Sequence, residues 1–166
     1  MRRSSEQAYV EYVTARQPAL RRSAYLLAGD WHRADDLVQE TITKLYTRWR
    51  RISAVDNVDA YVHTMLVRTF LDEKRLRWAG VKLLAQPPDR TGVPAVDDDT
   101  RLTLRDALGK VPPRQRAALV LRFYCDMTVE QTAEVLGCAS GTVKSQTSHG
   151  LAALRRLLAT PATTRG

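Results

Sequence analysis

A helix-turn-helix pattern at residues 128–158 constrains the fold of this chain most strongly. Thr128 and Gln131 have the spacing of a capping box, so a helix is expected to begin there. Gly137 can take the left-handed conformation that ends a helix, and Ser140, three residues further on, can cap a second one. The segment therefore predicts two helices joined by a three-residue turn.

The second of these helices has two chemically different faces. At about 100° per residue, its apolar side consists of Val143, Thr147, Leu151, Leu154 and Leu158. Its other side consists of Lys144, Ser145, Ser148, His149, Arg155 and Arg156, and no Asp or Glu follows Ala139. This combination is typical of a DNA-recognition helix. An ordinary helical hairpin with a solvated charged face is the alternative.

The charge of the chain favours an anionic partner. The 166 residues carry 26 Lys and Arg against 18 Asp and Glu, a net charge of +8. The first 80 residues and the last 66 are both basic, whereas residues 81–100 are slightly acidic. Two basic blocks therefore flank an acidic segment.

Other features indicate a soluble, cytoplasmic protein. The two cysteines, Cys125 and Cys138, form no CxxC pair and suggest no disulfide framework. The N-terminus lacks the apolar core of a signal peptide, and no apolar run approaches the 18 or so residues of a membrane span. We expect no membrane insertion.

Helical periodicity extends over the rest of the chain. Helices are expected at about 5–28, with a possible interruption at Pro18, at 31–51 and at 59–78. Gly29 is expected to end the first helix and Asp30 to cap the second.

The C-terminal part follows a different segment. Residues 80–100 contain three prolines and an acidic run, which is typical of a flexible linker. Helix is expected to resume near Arg101 and again over 114–125, where the core candidates are Ala118, Leu119, Leu121 and Phe123. Since no strand pattern occurs, the predicted fold is all-α, with two small helical domains at 1–79 and 101–160.

The stretches at 28–41, 57–77 and 111–158 together resemble those of a known family, the extracytoplasmic-function (ECF) sigma factors of bacterial RNA polymerase. AGDWHRADDLVQET at 28–41 looks like the family's polymerase-binding helix. NVDAYVHTMLVRTFLDEKRLR at 57–77 resembles its −10 helix, and residues 111–158 resemble its −35 domain. The combination of DDLVQET with VLGC-x-x-GTVKS about ninety residues later is more specific than either motif alone.

The resemblance implies two contacts for the N-terminal domain. The outer face of the DDLVQE helix would dock on the clamp coiled coil of the polymerase β′ subunit through Asp35, Asp36, Gln39, Glu40 and Thr43. The loop and helix that follow would capture a flipped-out base of the melted −10 strand, with Arg51, Ser53, Asp56, Asn57, Arg68, Lys74 and Arg75 as candidates. Thr69 stands where Asn is common in the family's −10 helix.

For the C-terminal domain the resemblance implies that the recognition helix enters the major groove of the −35 element. Base-edge or phosphate candidates on it are Lys144, Ser145, Ser148 and His149, with backbone amides from Gly141 and Thr142. Arg114 and Arg122 would hold the DNA backbone from the preceding helix. Gln146 and His149 replace two arginines that are frequent in the family.

The resemblance also implies partners: the β and β′ subunits of core RNA polymerase, promoter DNA and an anti-sigma factor. A free-standing helix-turn-helix activator or repressor would equally account for the last sixty residues, but it would not need the DDLVQE helix. Neither alternative is an enzyme. The spacing from Gly137 to Ser145 fails the phosphate-loop pattern, and Cys125, Cys138 and His149 match no common zinc spacing. No cofactor or metal is expected.

Overall fold

The fold is known from a computed structural model, which describes the backbone of residues 2–84 and 103–159 and the side chains of residues 4–76 and 103–159. All regular structure in these residues is helical. Two compact units, Met1–Phe70 and Leu71–Gly166, divide the chain. The N-terminal half contains α1 (Arg2–Ala28), α2 (Trp31–Thr47), α3 (Trp49–Ile52) and α4 (Val58–Leu84).

The chain reverses between α1 and α2 as the sequence predicts. Gly29 has a φ of 80°, a left-handed conformation that favours glycine, and its amide donates to the carbonyl of Tyr25. The Asp30 carboxylate then accepts a 2.8 Å hydrogen bond from the amide of His32 and caps α2.

The core of the N-terminal unit is built from one face of each long helix. α2 buries Ala34, Leu37, Val38, Thr41 and Leu45 at three- and four-residue steps. Opposing side chains come from the other helices: Leu20, Ala24 and Leu27 of α1, Trp49 and Ile52 of α3, and Val62, Met65, Leu66, Val67 and Phe70 of α4. The burial of these side chains supplies the main stabilisation of the unit.

Polar contacts fix α1 against the other helices. The Tyr9 hydroxyl donates to the carbonyl of Ile42 on α2 at 2.6 Å. The Tyr12 hydroxyl donates to Asp59 on α4 at 2.6 Å, and the same carboxylate pairs with Arg16 at 2.7 Å. These contacts set how α1 lies against α2 and α4.

Three helix boundaries differ from the sequence prediction. α1 continues through Pro18, because the burial of side chains such as Leu20 on its far side outweighs the hydrogen bond that proline cannot donate. The segment 31–51 is divided at Arg48, whose φ of −116° separates α2 from α3. α4 runs to Leu84 rather than ending near Trp78, and the rest of the predicted linker lies outside the described residues.

The C-terminal half contains α5 (Leu104–Gly109), α6 (Pro113–Leu119), a π-helical turn (Val120–Tyr124), α7 (Val129–Leu136) and α8 (Ser140–Ala159). A capping box between Thr103 and Asp106 starts α5, so the helix begins slightly later than the predicted Arg101. Pro113 occupies the first turn of α6, where a missing amide costs little.

The predicted core position of Phe123 is wrong. The amide of Cys125 bonds to the carbonyl of Val120, a five-residue step that widens the turn and shifts the helical register. Val120 and Leu121 are buried, but Phe123 is 58% exposed. The π-helical turn thus directs the aromatic ring outward, which simple 3.6-residue periodicity could not show.

The helix-turn-helix segment forms as predicted. The Thr128 side chain accepts from the amide of Gln131 at 3.0 Å, and the Gln131 side chain accepts from the amide of Thr128 at 2.9 Å. Gly137 has a φ of 68° and ends α7 in the left-handed conformation. The carbonyl of Ala139 accepts the first bonds of α8, so Ala139 occupies the cap position expected for Ser140.

The buried face of α8 is narrower than the sequence pattern suggests. Val143, Gly150 and Ala153 are buried, whereas Leu158 is 45% exposed, so its predicted core role is wrong. A Cβ atom at Gly150 would lie 3.0 Å from Leu119. The lack of a side chain at Gly150 therefore allows α8 to approach α6 closely.

A buried arginine joins the C-terminal helices. Arg116 is 5% exposed, and its guanidinium donates two hydrogen bonds to the carbonyl of Val111 and one to that of Gly109. Both carbonyls lie where the chain turns from α5 to α6. Burial lowers the pKa of Arg116 to about 10, so the side chain remains charged at neutral pH.

Replacing Arg116 by Met should destabilise the C-terminal unit, because the carbonyls of Gly109 and Val111 lose their charged donor. We expect a loss of about 3 kcal/mol in the free energy of unfolding. The measurement is native-state hydrogen exchange, read separately for residues 103–159 and 4–70. Arg155→Met, an exposed arginine on α8, is the matched control. Equal protection of residues 103–159 in both variants would contradict the structural role of Arg116.

Candidate protein and nucleic-acid interfaces

The outer face of α2 carries a column of exposed polar side chains. Asp36, Gln39 and Thr43 lie at steps of three and four residues, opposite the buried face, and all three are exposed. The Thr43 hydroxyl donates to the carbonyl of Gln39 at 2.8 Å. His32 is exposed one turn before Asp36 and belongs to the same column. Sequence reasoning missed His32, although the same periodicity places it there.

Asp35 lies on one flank of this column and is engaged by α1. The Nε of Arg21 donates to the carboxylate at 2.6 Å, and the same guanidinium lies 4.2 Å from the centre of the Trp31 ring. The Trp31 ring in turn stacks on Tyr25 with ring centres 3.9 Å apart. The hydrogen bond from Arg21 lowers the pKa of Asp35. Asp35 thus joins α2 to α1.

Glu40 lies on the other flank and is engaged by its own helix. The amino group of Lys44 is 3.5 Å from the Glu40 carboxylate and donates to the Thr69 hydroxyl of α4 at 3.1 Å. The five polymerase-binding candidates therefore divide into a central group and two flanking acids. Asp36, Gln39 and Thr43 form the central group.

The −10 candidates lie in two places. Arg51, Ser53, Asp56 and Asn57 precede α4, whereas Arg68, Lys74 and Arg75 lie further along α4 itself. Side chains exposed to solvent here are Arg51, Ser53, Asp56, Asn57, Arg68 and Arg75, while Lys74 is half-buried. The Asn57 side chain accepts from the amide of Ala60 at 3.1 Å and therefore caps α4. Arg75 pairs with Asp72 of its own helix at 3.5 Å.

Thr69 lies apart from this exposed group. It is only 4% exposed and faces the core side of α4. The side chain that replaces the family's frequent Asn is therefore oriented toward α2 rather than toward solvent.

The −35 candidates on α8 share one exposed surface at its N-terminal end. Gly141, Thr142, Lys144, Ser145, Ser148 and His149 are all exposed. The first amides of a helix have no intrahelical partner, and the helix dipole is positive there, so this end suits a phosphate group. No acidic side chain lies on α8.

The two arginines predicted to hold the DNA backbone are bonded within the C-terminal unit. Arg114 donates to the carbonyl of Leu136 at 2.9 Å and so satisfies the C-terminal end of α7. Arg122 donates to the carbonyl of Met127, just before α7 begins. Both side chains therefore hold α7 against the preceding helix, a role that the sequence did not reveal.

The described residues show neither a metal centre nor a membrane span. No group of three or more His, Cys, Asp or Glu side chains in the described part of the chain could hold a metal ion. Within the same residues, no helix is both long enough and apolar enough to cross a membrane.

Two helical units, the second with a helix-turn-helix and an acid-free exposed face, define the class of two-domain DNA-binding transcription proteins. Family models agree: "Sigma-70 region 2" matches residues 12–79, and "Sigma-70, region 4" matches residues 101–154. Relatives include the RNA polymerase sigma-E factor of Streptomyces avermitilis, 37% identical over 90% of this chain and 84% of that protein. The ECF sigma factor EcfG of Rhodopseudomonas palustris is 32% identical over 88% of this chain and 82% of that protein.

A solved structure also matches. The sigma factor RpoE of Bartonella quintana, in complex with the anti-sigma factor NepR, superposes with a TM-score of 0.71 at 26% identity. The match covers 94% of this chain and 99% of that one. The chain belongs to the sigma-70 family and is an ECF-type sigma factor. As such it binds core RNA polymerase and directs sequence-specific promoter recognition in transcription initiation.

Proposed function

We propose that the exposed column of α2 is the surface that docks on core polymerase, specifically on the clamp coiled coil of β′. The observation that supports this is the arrangement of Asp36, Gln39 and Thr43 between two flanking contacts. Asp35 and Glu40 already have basic partners in Arg21 and Lys44. The central side chains therefore supply the direct polar contacts, and the flanking acids border them.

The loop between α3 and α4, together with the exposed side of α4, then reads the −10 element. Arg51, Ser53 and Asp56 lie before α4, and Arg68 and Arg75 project from its exposed side. Cations beside an exposed loop suit a melted strand, because they pair with phosphates while a base is held out of the stack. Asn57 contributes mainly by capping α4.

The N-terminal end of α8 reads the −35 element from the major groove. Lys144, Ser145, Ser148 and His149 reach base edges or adjacent phosphates, and the amides of Gly141 and Thr142 bind a phosphate. Arg114 and Arg122 support this surface by holding α7 in place. Any phosphate contact that they make is additional to this role.

In this proposal, the N-terminal domain, residues 1–79, docks on polymerase and opens the −10 region, and the C-terminal domain, residues 101–160, binds the −35 element. Residues 80–100 connect them, and α4 continues into this segment as far as Leu84. The matched ranges of 12–79 and 101–154 support this division. The polymerase β subunit is a further contact of the assembled protein. The protein acts in the cytoplasm and contributes recognition rather than catalysis.

An anti-sigma factor regulates this activity. The support comes from the Bartonella RpoE structure, in which a sigma factor with the same fold is in complex with NepR. A protein that covers the α2 column would compete directly with polymerase.

Reversing the charge of Asp36 should abolish polymerase docking. In Asp36→Arg, a cation replaces the central exposed carboxylate of α2, whereas the core of the helix is untouched. We expect the amount of core polymerase that co-purifies with the chain to fall by at least roughly ten-fold, equivalent to about 1.4 kcal/mol. Glu11→Arg makes the same charge change at an exposed position of α1 and should leave co-purification unchanged. Wild-type co-purification of Asp36→Arg would remove the column from the interface.

Introducing an arginine at position 149 should strengthen −35 binding. His149→Arg restores a cation on the exposed face of α8, and one added phosphate contact should steepen the salt dependence of binding by about one unit of slope. Fluorescence-anisotropy titrations at several salt concentrations, with a −35 duplex selected from a random library by the wild-type holoenzyme, measure this slope. Gln7→Arg, on α1, is the matched control. An identical slope for His149→Arg and the wild type would show that position 149 faces away from phosphate.

A further inference from the structure

The amino group of Lys44 lies between the docking column of α2 and the proposed −10 surface of α4. Lys44 projects from α2, with its Nζ 3.1 Å from the Thr69 hydroxyl of α4 and 3.5 Å from the Glu40 carboxylate. Glu40 borders the docking column, whereas Thr69 directly follows Arg68, an exposed −10 candidate. A single cation therefore contacts both the helix that docks on polymerase and the helix that reads the −10 element.

The hydroxyl of Thr69 makes an unusual bond for a helical threonine. The hydroxyls of Thr41 and Thr64 donate to carbonyls one turn earlier in their own helices, at 2.8 and 2.9 Å. The Thr69 hydroxyl instead accepts a hydrogen bond from a charged group on another helix. Charge-assisted bonds are stronger than neutral ones, and more so where water is scarce. The Thr69 end of the bond is buried, with 4% of the residue exposed, whereas the Lys44 side chain is 39% exposed.

This bond joins α2 to α4 at a residue that is next to an exposed −10 candidate, Arg68. Thr69 faces α2, and the neighbouring Arg68 projects to the exposed side. A small rotation of α4 would therefore displace Arg68 relative to a bound strand. Apolar packing of the neighbouring Phe70 is non-directional, whereas a hydrogen bond defines one orientation.

We propose that Lys44 is a positioning residue for −10 recognition: its ammonium group holds α4 in register with the docking helix α2 through Thr69. The 3.5 Å contact with Glu40 keeps the ammonium group in place from the docking side. Lys44 itself contacts neither polymerase nor DNA. The inference rests on the proposed function, because it assigns to α2 and α4 the two surfaces described above.

Base discrimination at the −10 element tests the proposal. Holoenzymes are assembled at saturating core polymerase, and open complexes are measured on a promoter selected by the wild-type holoenzyme and on the same promoter with one substituted −10 base. Saturation removes differences in docking affinity, and a general loss of stability would affect both promoters equally. Lys44→Met keeps the aliphatic stem but removes the donor, and should lower the discrimination ratio by about five-fold, the scale of the net contribution of one part-exposed hydrogen bond.

Two pairs of variants separate the effect of the hydrogen bond on discrimination from the effect of side-chain packing. Thr69→Val removes the acceptor at nearly constant volume and should lower discrimination as Lys44→Met does, whereas Thr69→Ser retains the hydroxyl and the discrimination. Lys44→Arg retains a donor and should remain close to the wild type. The double variant Lys44→Met with Thr69→Val should be no worse than either single variant, because both remove the same bond.

Two results would overturn this inference and leave the proposed function intact. A wild-type discrimination ratio in Lys44→Met, from holoenzymes that initiate normally, would show that the bond positions nothing. Additive losses in the double variant would show that Lys44 and Thr69 act independently. Failure of the wild-type chain to initiate with core polymerase would overturn both this inference and the proposed function on which it rests.

Discussion

The N-terminal half depends on α2, because this helix combines a core-forming face with a polar outer face. One face of this helix is buried among α1, α3 and α4, and the opposite face is polar and exposed. Charged contacts lie on both sides of the exposed face: Arg21 pairs with Asp35 on one side, and Lys44 contacts Glu40 and Thr69 on the other. Exposed ion pairs add little stability, so their effect is geometric. They leave Asp36, Gln39 and Thr43 as the central accessible group.

In the C-terminal half, backbone geometry and arginine side chains hold the helix-turn-helix in place. Gly137 supplies the left-handed turn, and Gly150 permits the close approach of α8 to α6. Arg114 and Arg116 donate to carbonyls at helix ends that would otherwise lack partners. Arg114, Arg116 and Arg122 thus bond to carbonyls of the C-terminal unit itself, while the acid-free face of α8 is exposed.

The sequence predicted the helical class, the capping box at Thr128 and the turn at Gly137, because these depend on local spacing. It did not predict the exposure of Phe123, since a π-helical turn changes the period within one helix. Nor could it show that Arg114 bonds to the carbonyl of Leu136, because that contact joins residues 22 positions apart. Residue types indicate which helix faces are exposed, but only the tertiary structure shows which side chains contact each other.

The most direct test of the account is run-off transcription with core RNA polymerase on a library of random promoter sequences. The account predicts that core polymerase alone yields no specific starts, and that adding the chain yields transcripts whose templates share one −10 and one −35 sequence at constant spacing. Both sequences are required, because the two helical units read them separately. Sequence-specific DNA binding by the chain, without core binding or promoter-directed transcripts, would contradict the account and favour a free-standing helix-turn-helix regulator.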